Sequence, residues 1–146
     1  MEFVKGISLL AYLKSQPGRK LSENECLMIF KQLISGMNYL HNSNIIHRDL
    51  KLDNIIIDTT NKTIKIIDYG FGCITSWDKK LTFFCGTPSY MPPEIIQKKE
   101  YIGIVNNLNL GFYADIWSLG ILLYALLNGC LPFKGIYSQT KIIEKP

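Results

Sequence analysis

The chain has 146 residues, of which 47% are hydrophobic and 19% are charged, and its formal net charge is +4. This composition is typical of one globular domain and excludes a disordered, highly charged tail. Only two of the sixteen basic residues are arginines, and the lysines are scattered, which argues against a nucleic-acid partner. The longest apolar stretch, residues 116–127, is too short to span a bilayer, so no membrane partner is expected.

The cysteines and the start of the chain point to a reducing compartment. Four dispersed cysteines form no CxxC pair, and the first residues lack the apolar core of a secretion signal. Dispersed cysteines without a leader are typical of reduced thiols. We therefore expect a cytoplasmic protein, with the nucleus as the alternative.

Two helices are predicted in the first third of the chain. A short helix covers residues 8–14, with Ser8 as its cap. A longer amphipathic helix covers residues 22–42, where apolar residues recur at helical spacing. Ser22 and Glu25 have the spacing of a capping box at its start.

A β-hairpin and a long loop follow. The β-branched runs at 55–57 and 64–67 flank turn-forming residues 58–62, which predicts a hairpin. Residues 68–94 contain glycines, prolines and aromatics without a period. They are predicted to form a long ordered loop, and loops of that length are usually functional.

The last third is predicted to be mainly helical. A short helix at 93–98 begins with proline, residues 101–113 are predicted to be loop, and residues 115–127 form a helix that is apolar on all sides. Such a helix should be buried in the core. Another helix is expected at 138–145. The predicted fold class is mainly α with one small β-hairpin.

Four motifs occur in a fixed order along these elements. Residues 47–54 read His-Arg-Asp-Leu-Lys-Leu-Asp-Asn and fit the pattern H-R-D-x-x-x-x-N. Asp-Tyr-Gly follows at 68–70, Pro-Pro-Glu at 92–94, and Asp-Ile-Trp-Ser-Leu-Gly at 115–120. Together they resemble a eukaryotic serine/threonine protein kinase catalytic domain, most like the calmodulin-dependent and energy-sensing group.

The resemblance covers residues 1 to about 135 and implies a kinase C-terminal lobe. Residues 1–7 resemble the hinge between the two kinase lobes, and residues 8–146 resemble a C-terminal lobe truncated at its end. The 146 residues contain no Gly-rich loop, so the N-terminal lobe is expected to be missing. Lys51 and Thr87 resemble residues that mark Ser/Thr kinases rather than Tyr kinases.

The resemblance implies roles for the residues of the first two motifs. Asp49 would orient a substrate hydroxyl and receive its proton, and Lys51 would contact the transferred phosphate. Asn54 and Asp68 would supply oxygen ligands for Mg²⁺. His47 is expected to be structural rather than a general base.

ATP contacts are implied at the start of the chain and in the hairpin. The backbone of Glu2 and Val4 would pair with adenine, Ile56 would form the apolar floor under the ring, and Ser8 would lie near the ribose.

Two residues are candidates for regulation. Arg48 would receive a phosphate or carboxylate from the long loop, and Thr82 is the candidate for phosphorylation by an upstream kinase. The related kinases place that threonine two residues before a Cys-Gly-Thr/Ser motif, where this chain has Phe83. Activation by loop phosphorylation therefore stays open.

Asp115 could be a plain helix N-cap, and the resemblance implies that its carboxylate bonds the backbone of the catalytic loop, residues 47–54.

Two function hypotheses remain. In the first, the chain is part of an enzyme that transfers the γ-phosphate of ATP, with Mg²⁺, to Ser/Thr hydroxyls of protein substrates. In the second, it is a non-catalytic kinase-like binding module or a gene fragment without activity of its own. On either hypothesis, the isolated chain is expected to transfer phosphate poorly.

Overall fold

The computed structural model describes residues 4–74, 85–97 and 109–133. The helices are α1 (Leu9–Ser15), α2 (Glu23–Asn42), α3 (Pro93–Gln97) and α4 (Asn109–Asn128), and the strands are β1 (Ile7–Ser8), β2 (Ile45–Ile46), β3 (Ile55–Ile57), β4 (Ile64–Ile66) and β5 (Cys73–Ile74). The predictions for Glu2, Thr82, the helix at 138–145 and the loop at 101–108 lie outside the described residues.

Helix α2 confirms the predicted amphipathic helix. Its buried residues recur every three or four positions and face the core: Cys26, Ile29, Leu33, Met37 and Leu40. Ser22 caps the helix, and its Oγ accepts a hydrogen bond from the Glu25 backbone N–H at 3.3 Å. The reciprocal half of the capping box does not form, because the Glu25 carboxylate instead binds Tyr12 and Lys62.

Helix α1 is also confirmed, and the same residue that caps it belongs to a sheet. The Ser8 Oγ accepts from the Ala11 backbone N–H at 3.1 Å, as expected for an N-cap. Strand β1 pairs antiparallel with β3, so that Ser8 lies opposite Ile56 and Ile7 opposite Ile57. Ile7, which the sequence placed in the hinge, is therefore part of the sheet.

The predicted hairpin is confirmed as strands β3 and β4, with Ile55 opposite Ile66. With β1 it forms a three-stranded sheet in the order β1-β3-β4. The sheet therefore has one strand more than the single hairpin predicted from the sequence. Gly6 permits the close approach of β1 to β3. Its φ is +139°, and a Cβ at this position would lie 2.4 Å from the Ile57 carbonyl oxygen.

A second small sheet corrects the prediction that residues 68–94 form only loop. Strand β5 pairs antiparallel with β2, which places Cys73 opposite Ile46. Residues Pro88–Tyr90 form a 3-10 turn. Strands of two residues carry no period, so the sequence pattern could not reveal them.

Helix α4 begins six residues before the predicted start at position 115, so residues 109–113 are helical rather than loop. The Phe112 ring packs against the His41 ring with centroids 4.6 Å apart. This tertiary contact outweighs the weak helix propensity of the asparagine and glycine nearby. The prediction that this helix is buried on all sides was also wrong, because Ile116 and Tyr124 are exposed.

The buried face of α4 packs against α2 and forms much of the core. Leu122 and Leu126 are fully buried on this face, together with the polar residues Asp115 and Ser118. In the described ranges, no helix has the length and apolarity needed to cross a membrane. The α4 face therefore positions buried polar groups next to the loop between β2 and β3.

Candidate active site

The loop that carries the first motif, residues 47–54, is anchored by Asp115. The Asp115 carboxylate is 1% exposed and accepts hydrogen bonds from the backbone N–H groups of His47 at 3.0 Å and Arg48 at 2.9 Å. The Nε2 atom of His41 lies 2.9 Å from the same carboxylate. Asp115 lies within α4, so the interpretation as an N-cap is wrong. The hydrogen bonds to the backbone of the catalytic loop, which the resemblance implied, are present.

His47 is a fully buried structural link between two segments of the site. Its Nδ1 accepts from the Asp49 backbone N–H at 3.3 Å, and its Nε2 lies 3.1 Å from the Ile67 carbonyl oxygen. Because a carbonyl only accepts, this arrangement selects the neutral imidazole with its proton on Nε2. Tyr69 packs on the ring with centroids 5.1 Å apart.

Three side chains surround the carboxylate of Asp49, which is 5% exposed. The Thr87 hydroxyl donates to Oδ1 at 2.7 Å. The Lys51 ammonium and the Asn54 amide donate to Oδ2 at 2.8 Å and 3.2 Å. The Asn54 amide nitrogen also donates to the Asp49 carbonyl at 2.9 Å, which fixes its orientation. The structure thus brings Asp49, Lys51 and Asn54 together.

Thr87 belongs to this cluster, although sequence reasoning did not name it as a site residue. Its hydroxyl accepts from the Lys51 ammonium at 3.0 Å while donating to Asp49. The sequence signal for this role is the Gly-Thr-Pro motif at 86–88, which the resemblance links only to Ser/Thr rather than Tyr kinases.

Gly86 allows the Thr87 segment to approach the catalytic loop. Its φ is +110°, and a Cβ would lie 2.5 Å from the Arg48 carbonyl oxygen. Any other residue would be strained there and would push the two segments apart.

Asp68 lies next to the cluster along the backbone rather than in direct contact with it. The Ile67 N–H donates to the Asn54 carbonyl at 2.9 Å, and Asp68 follows immediately with a φ of +62°. Its Oδ1 accepts from the Gly70 N–H at 3.2 Å, and the residue is exposed. Among the described residues, no hydrogen bond joins the Asp68 carboxylate to Asp49 or Lys51.

The donor set of Asn54 and Asp68 fits a magnesium ion. Both side chains offer oxygen, and the Asn54 amide nitrogen is turned toward Asp49, which leaves its oxygen as the remaining acceptor. Within the described part of the chain, no three His, Cys, Asp or Glu side chains form a metal cage. Mg²⁺ is commonly held by one or two carboxylates together with substrate phosphates, so a complete protein cage is not required.

Arg48 links the catalytic loop to the segment after Asp68. Its φ is +66°, and its Nε donates to the Phe71 carbonyl. Burial raises the pKa of the nearby Cys85 thiol, and the Arg48 charge opposes that shift only in part. Burial likewise raises the pKa of Tyr90 to about 12. Both groups therefore stay neutral near pH 7.

Two of the predicted ATP contacts, Ser8 and Ile56, lie in the three-stranded sheet. Ser8 and Ile56 are register partners in the three-stranded sheet, so their side chains lie on one face of it. Val4 is half-buried.

Comparison with known proteins agrees with this geometry. The family model for the protein kinase domain matches residues 1–145. The probable serine/threonine-protein kinase HSL1 of Saccharomyces cerevisiae is 42% identical over 91% of this chain and 8% of that protein. Mouse serine/threonine-protein kinase SIK1 is 42% identical over 92% of this chain and 16% of that protein. Rat NUAK family SNF1-like kinase 2 is 39% identical over 97% of this chain and 21% of that protein.

The chain belongs to the protein kinase domain family. The resemblance to Ser/Thr kinases of the energy-sensing, AMPK-related group is confirmed by these relatives. The chain spans between 8% and 21% of the length of these three relatives.

Proposed function

We propose that the protein containing this chain transfers the γ-phosphate of ATP to Ser or Thr hydroxyls of protein substrates. The described helices and small sheets would form the C-terminal lobe of its kinase domain. The observation that carries the proposal is the enclosure of the Asp49 carboxylate by Lys51, Asn54 and Thr87.

The hydrogen bonds at Asp49 leave room for one more donor. A carboxylate has about four lone-pair sites, and three of them are used by Thr87, Lys51 and Asn54. A substrate hydroxyl can donate to the fourth. Asp49 would then hold this hydroxyl in place and receive its proton, while the hydroxyl oxygen bonds to the γ-phosphorus of ATP and the bond from that phosphorus to ADP breaks, so that ADP leaves.

Lys51 would act on the phosphate as a positive point charge. Its ammonium has three N–H donors, two of which bind Asp49 and Thr87. The third remains for a phosphate oxygen. Because both existing bonds fix the ammonium beside the proton acceptor, phosphate and hydroxyl would meet at the same point.

The remaining groups would hold ATP. Asn54 and Asp68 would bind Mg²⁺, which supplies charge neutralisation to the phosphates when it is bound. Ile56 and Ser8 would face the nucleoside, with the backbone of Glu2 and Val4 pairing with adenine.

We propose regulation through the segment of residues 68–94 from the sequence alone. Phosphorylation of Thr82 by an upstream kinase would place a charge for Arg48 to bind. The Arg48 Nε is engaged by Phe71, so its terminal guanidinium N–H groups would make the contact. We also propose a cytoplasmic or nuclear location, which the free state of all four cysteines supports.

The test is Mg²⁺-dependent phosphate transfer from ATP to serine peptides by the natural polypeptide that contains this chain. Asp49→Asn keeps the shape but removes the proton acceptor, and we expect the rate to fall by about 10²–10⁴-fold. Glu23→Gln, an exposed carboxylate on α2, is the control and should leave the rate unchanged.

Near-normal transfer by Asp49→Asn would contradict the assigned role. A folded wild-type protein that binds peptide without transferring phosphate would favour the alternative function, a non-catalytic binding module.

A further inference from the structure

A half-buried amide on α2, that of Gln32, binds the backbone at the start of strand β4. Its Nε2 donates a hydrogen bond to the Lys62 carbonyl at 2.9 Å, and its Oε1 accepts one from the Ile64 N–H at 3.1 Å. In the described part of the chain, β4 is the outer strand of the three-stranded sheet. The Gln32 amide therefore binds the outer edge of this strand with one donor and one acceptor, as a neighbouring strand would.

The hairpin itself specifies the register of β3 and β4 only weakly. Isoleucine occupies all three positions of β3, so the pattern of apolar residues hardly distinguishes one register from the next. Residues 58–63 join the two strands, and this connection is longer than the tight turns that fix a hairpin's register. The observed register, with Ile55 opposite Ile66, therefore depends on contacts from outside the hairpin.

A second contact holds the same loop near the helices. The Lys62 ammonium donates to the Glu25 carboxylate at 3.0 Å and to the Tyr12 hydroxyl. Because this ammonium sits on a flexible four-carbon stem, the contact tethers the loop without fixing the backbone of β4. The Gln32 amide binds that backbone directly. Loss of the Gln32 contacts should therefore leave the hairpin attached but free to shift.

The register of the hairpin determines where the two proposed magnesium ligands lie. Asn54 directly precedes β3, and the Ile67 N–H donates to its carbonyl at 2.9 Å, immediately before Asp68. A shift of β4 by one residue would move Asp68 by about 3.4 Å relative to Asn54. Mg²⁺ requires oxygen ligands at about 2.0–2.1 Å in near-octahedral geometry, so it tolerates little of such a shift.

We infer that Gln32 is a positioning residue, which holds β4 in register and thereby sets the spacing of Asn54 and Asp68 for Mg²⁺. Among the described residues, its side chain bonds neither of these two, so it acts through the backbone of β4. The inference rests on the proposed function, because it takes Asn54 and Asp68 to be the magnesium ligands. A merely structural role would lower stability without changing the dependence on metal.

The test variant is Gln32→Met, which keeps the side-chain length and the helix propensity but removes both hydrogen bonds. In the full chain, the Ile67 amide should exchange its hydrogen about five- to tenfold faster than in the wild type. Mn²⁺ prefers the same oxygen ligands as Mg²⁺ and broadens nearby NMR signals. Broadening of the Asp68 and Gly70 amides should require about three- to tenfold more Mn²⁺ in the variant.

A second measurement follows phosphate transfer by the natural polypeptide that contains this chain. In Gln32→Met, the free Mg²⁺ needed for half-maximal rate at saturating ATP should rise about three- to tenfold. The KM for the peptide should stay unchanged, because Gln32 acts only on the metal ligands.

Two control variants separate positioning from stability. Lys31→Met changes the exposed neighbour of Gln32 on α2 and should match the wild type in every measurement. Ile29→Val shortens a fully buried side chain of the same helix and should lower the melting temperature. Its dependence on Mn²⁺ and Mg²⁺ should nevertheless stay that of the wild type.

Unchanged exchange at Ile67 in Gln32→Met would overturn the inference, as would unchanged metal dependence despite faster exchange. An equal loss of metal binding in Ile29→Val would overturn it too, because the effect would then follow stability. The proposed function can fail separately. Weaker Mn²⁺ binding by Gln32→Met, with a wild type that transfers no phosphate, would support the inference and contradict the enzyme. Transfer whose metal dependence is the same in both proteins would contradict the inference alone.

Discussion

The anchoring of the catalytic loop by Asp115 gives a quantitative prediction for the substitution Asp115→Asn. In the wild type, Oδ1 accepts from the Arg48 N–H, while Oδ2 accepts from the His47 N–H and lies 2.9 Å from His41 Nε2. The asparagine amide can keep only one oxygen. Its NH₂ group must therefore face one of the two backbone donors, while His41 can adapt by changing its tautomer.

The expected cost follows from the two hydrogen bonds at stake. One buried backbone N–H loses its acceptor, which costs about 1–3 kcal/mol, and the other bond changes from a charged to a neutral acceptor, which costs about 1 kcal/mol. The free energy of unfolding should therefore fall by about 2–4 kcal/mol. The total free energy of unfolding of a domain is about 5–15 kcal/mol, so this loss is a large fraction of it.

Urea unfolding followed by circular dichroism measures this difference, and we expect the midpoint to fall by about 1 M or more. Hydrogen exchange then locates the effect, since the amides of His47 and Arg48 should lose protection in Asp115→Asn. Glu94→Gln, which changes an exposed carboxylate in α3, should stay within about 0.5 kcal/mol of the wild type. A loss below about 1 kcal/mol, or unchanged exchange at both amides, would refute the anchoring role.

Two further predictions concern stability. Hydrogen bonds from Tyr12 and then Lys62 hold the pKa of Glu25 below its ordinary value of 4.5. The ionised Glu25 therefore contributes to the free energy of unfolding above pH 4.5, and this contribution is lost as the pH falls through the lowered pKa. Urea unfolding should show that the wild type loses more stability between about pH 5 and pH 3 than Glu25→Gln does, and equal losses would contradict this. Gly86→Ala should destabilise the chain by at least about 1–3 kcal/mol, because its φ is positive and its Cβ would meet a catalytic-loop carbonyl oxygen. The helical Gly120, where a Cβ meets nothing within 4 Å, is the control, and Gly120→Ala should raise the melting temperature.

The elements that could be predicted from the sequence are those encoded by neighbouring residues. Helix α2 was predictable because Ser22 caps it and its apolar residues recur at helical spacing. The hairpin was predictable because two β-branched runs flank a turn. In each case the signal lies within about twenty residues, so a single pass along the chain finds it.

The elements that could not be predicted depend on distant partners. Strand β1 is two residues long and becomes a strand only because Ile57 lies beside Ile7. The early start of α4 coincides with the contact between Phe112 and His41. Neither partner can be read from local periodicity, since the residues in each pair are far apart in sequence.

The candidate site combines both kinds of information. Asp49, Lys51 and Asn54 lie within one motif, so the sequence could name them together, while Thr87 enters the cluster from 38 positions away. Asp115, which holds the loop backbone, is 68 positions from His47. A peptide of residues 47–54 would carry every group of the motif, but water would solvate the backbone N–H groups that Asp115 binds, and the Asp49 carboxylate would lose its partner Thr87. The motif therefore specifies the chemistry, and α4 together with the Gly86–Thr87 segment supplies the geometry on which that chemistry depends.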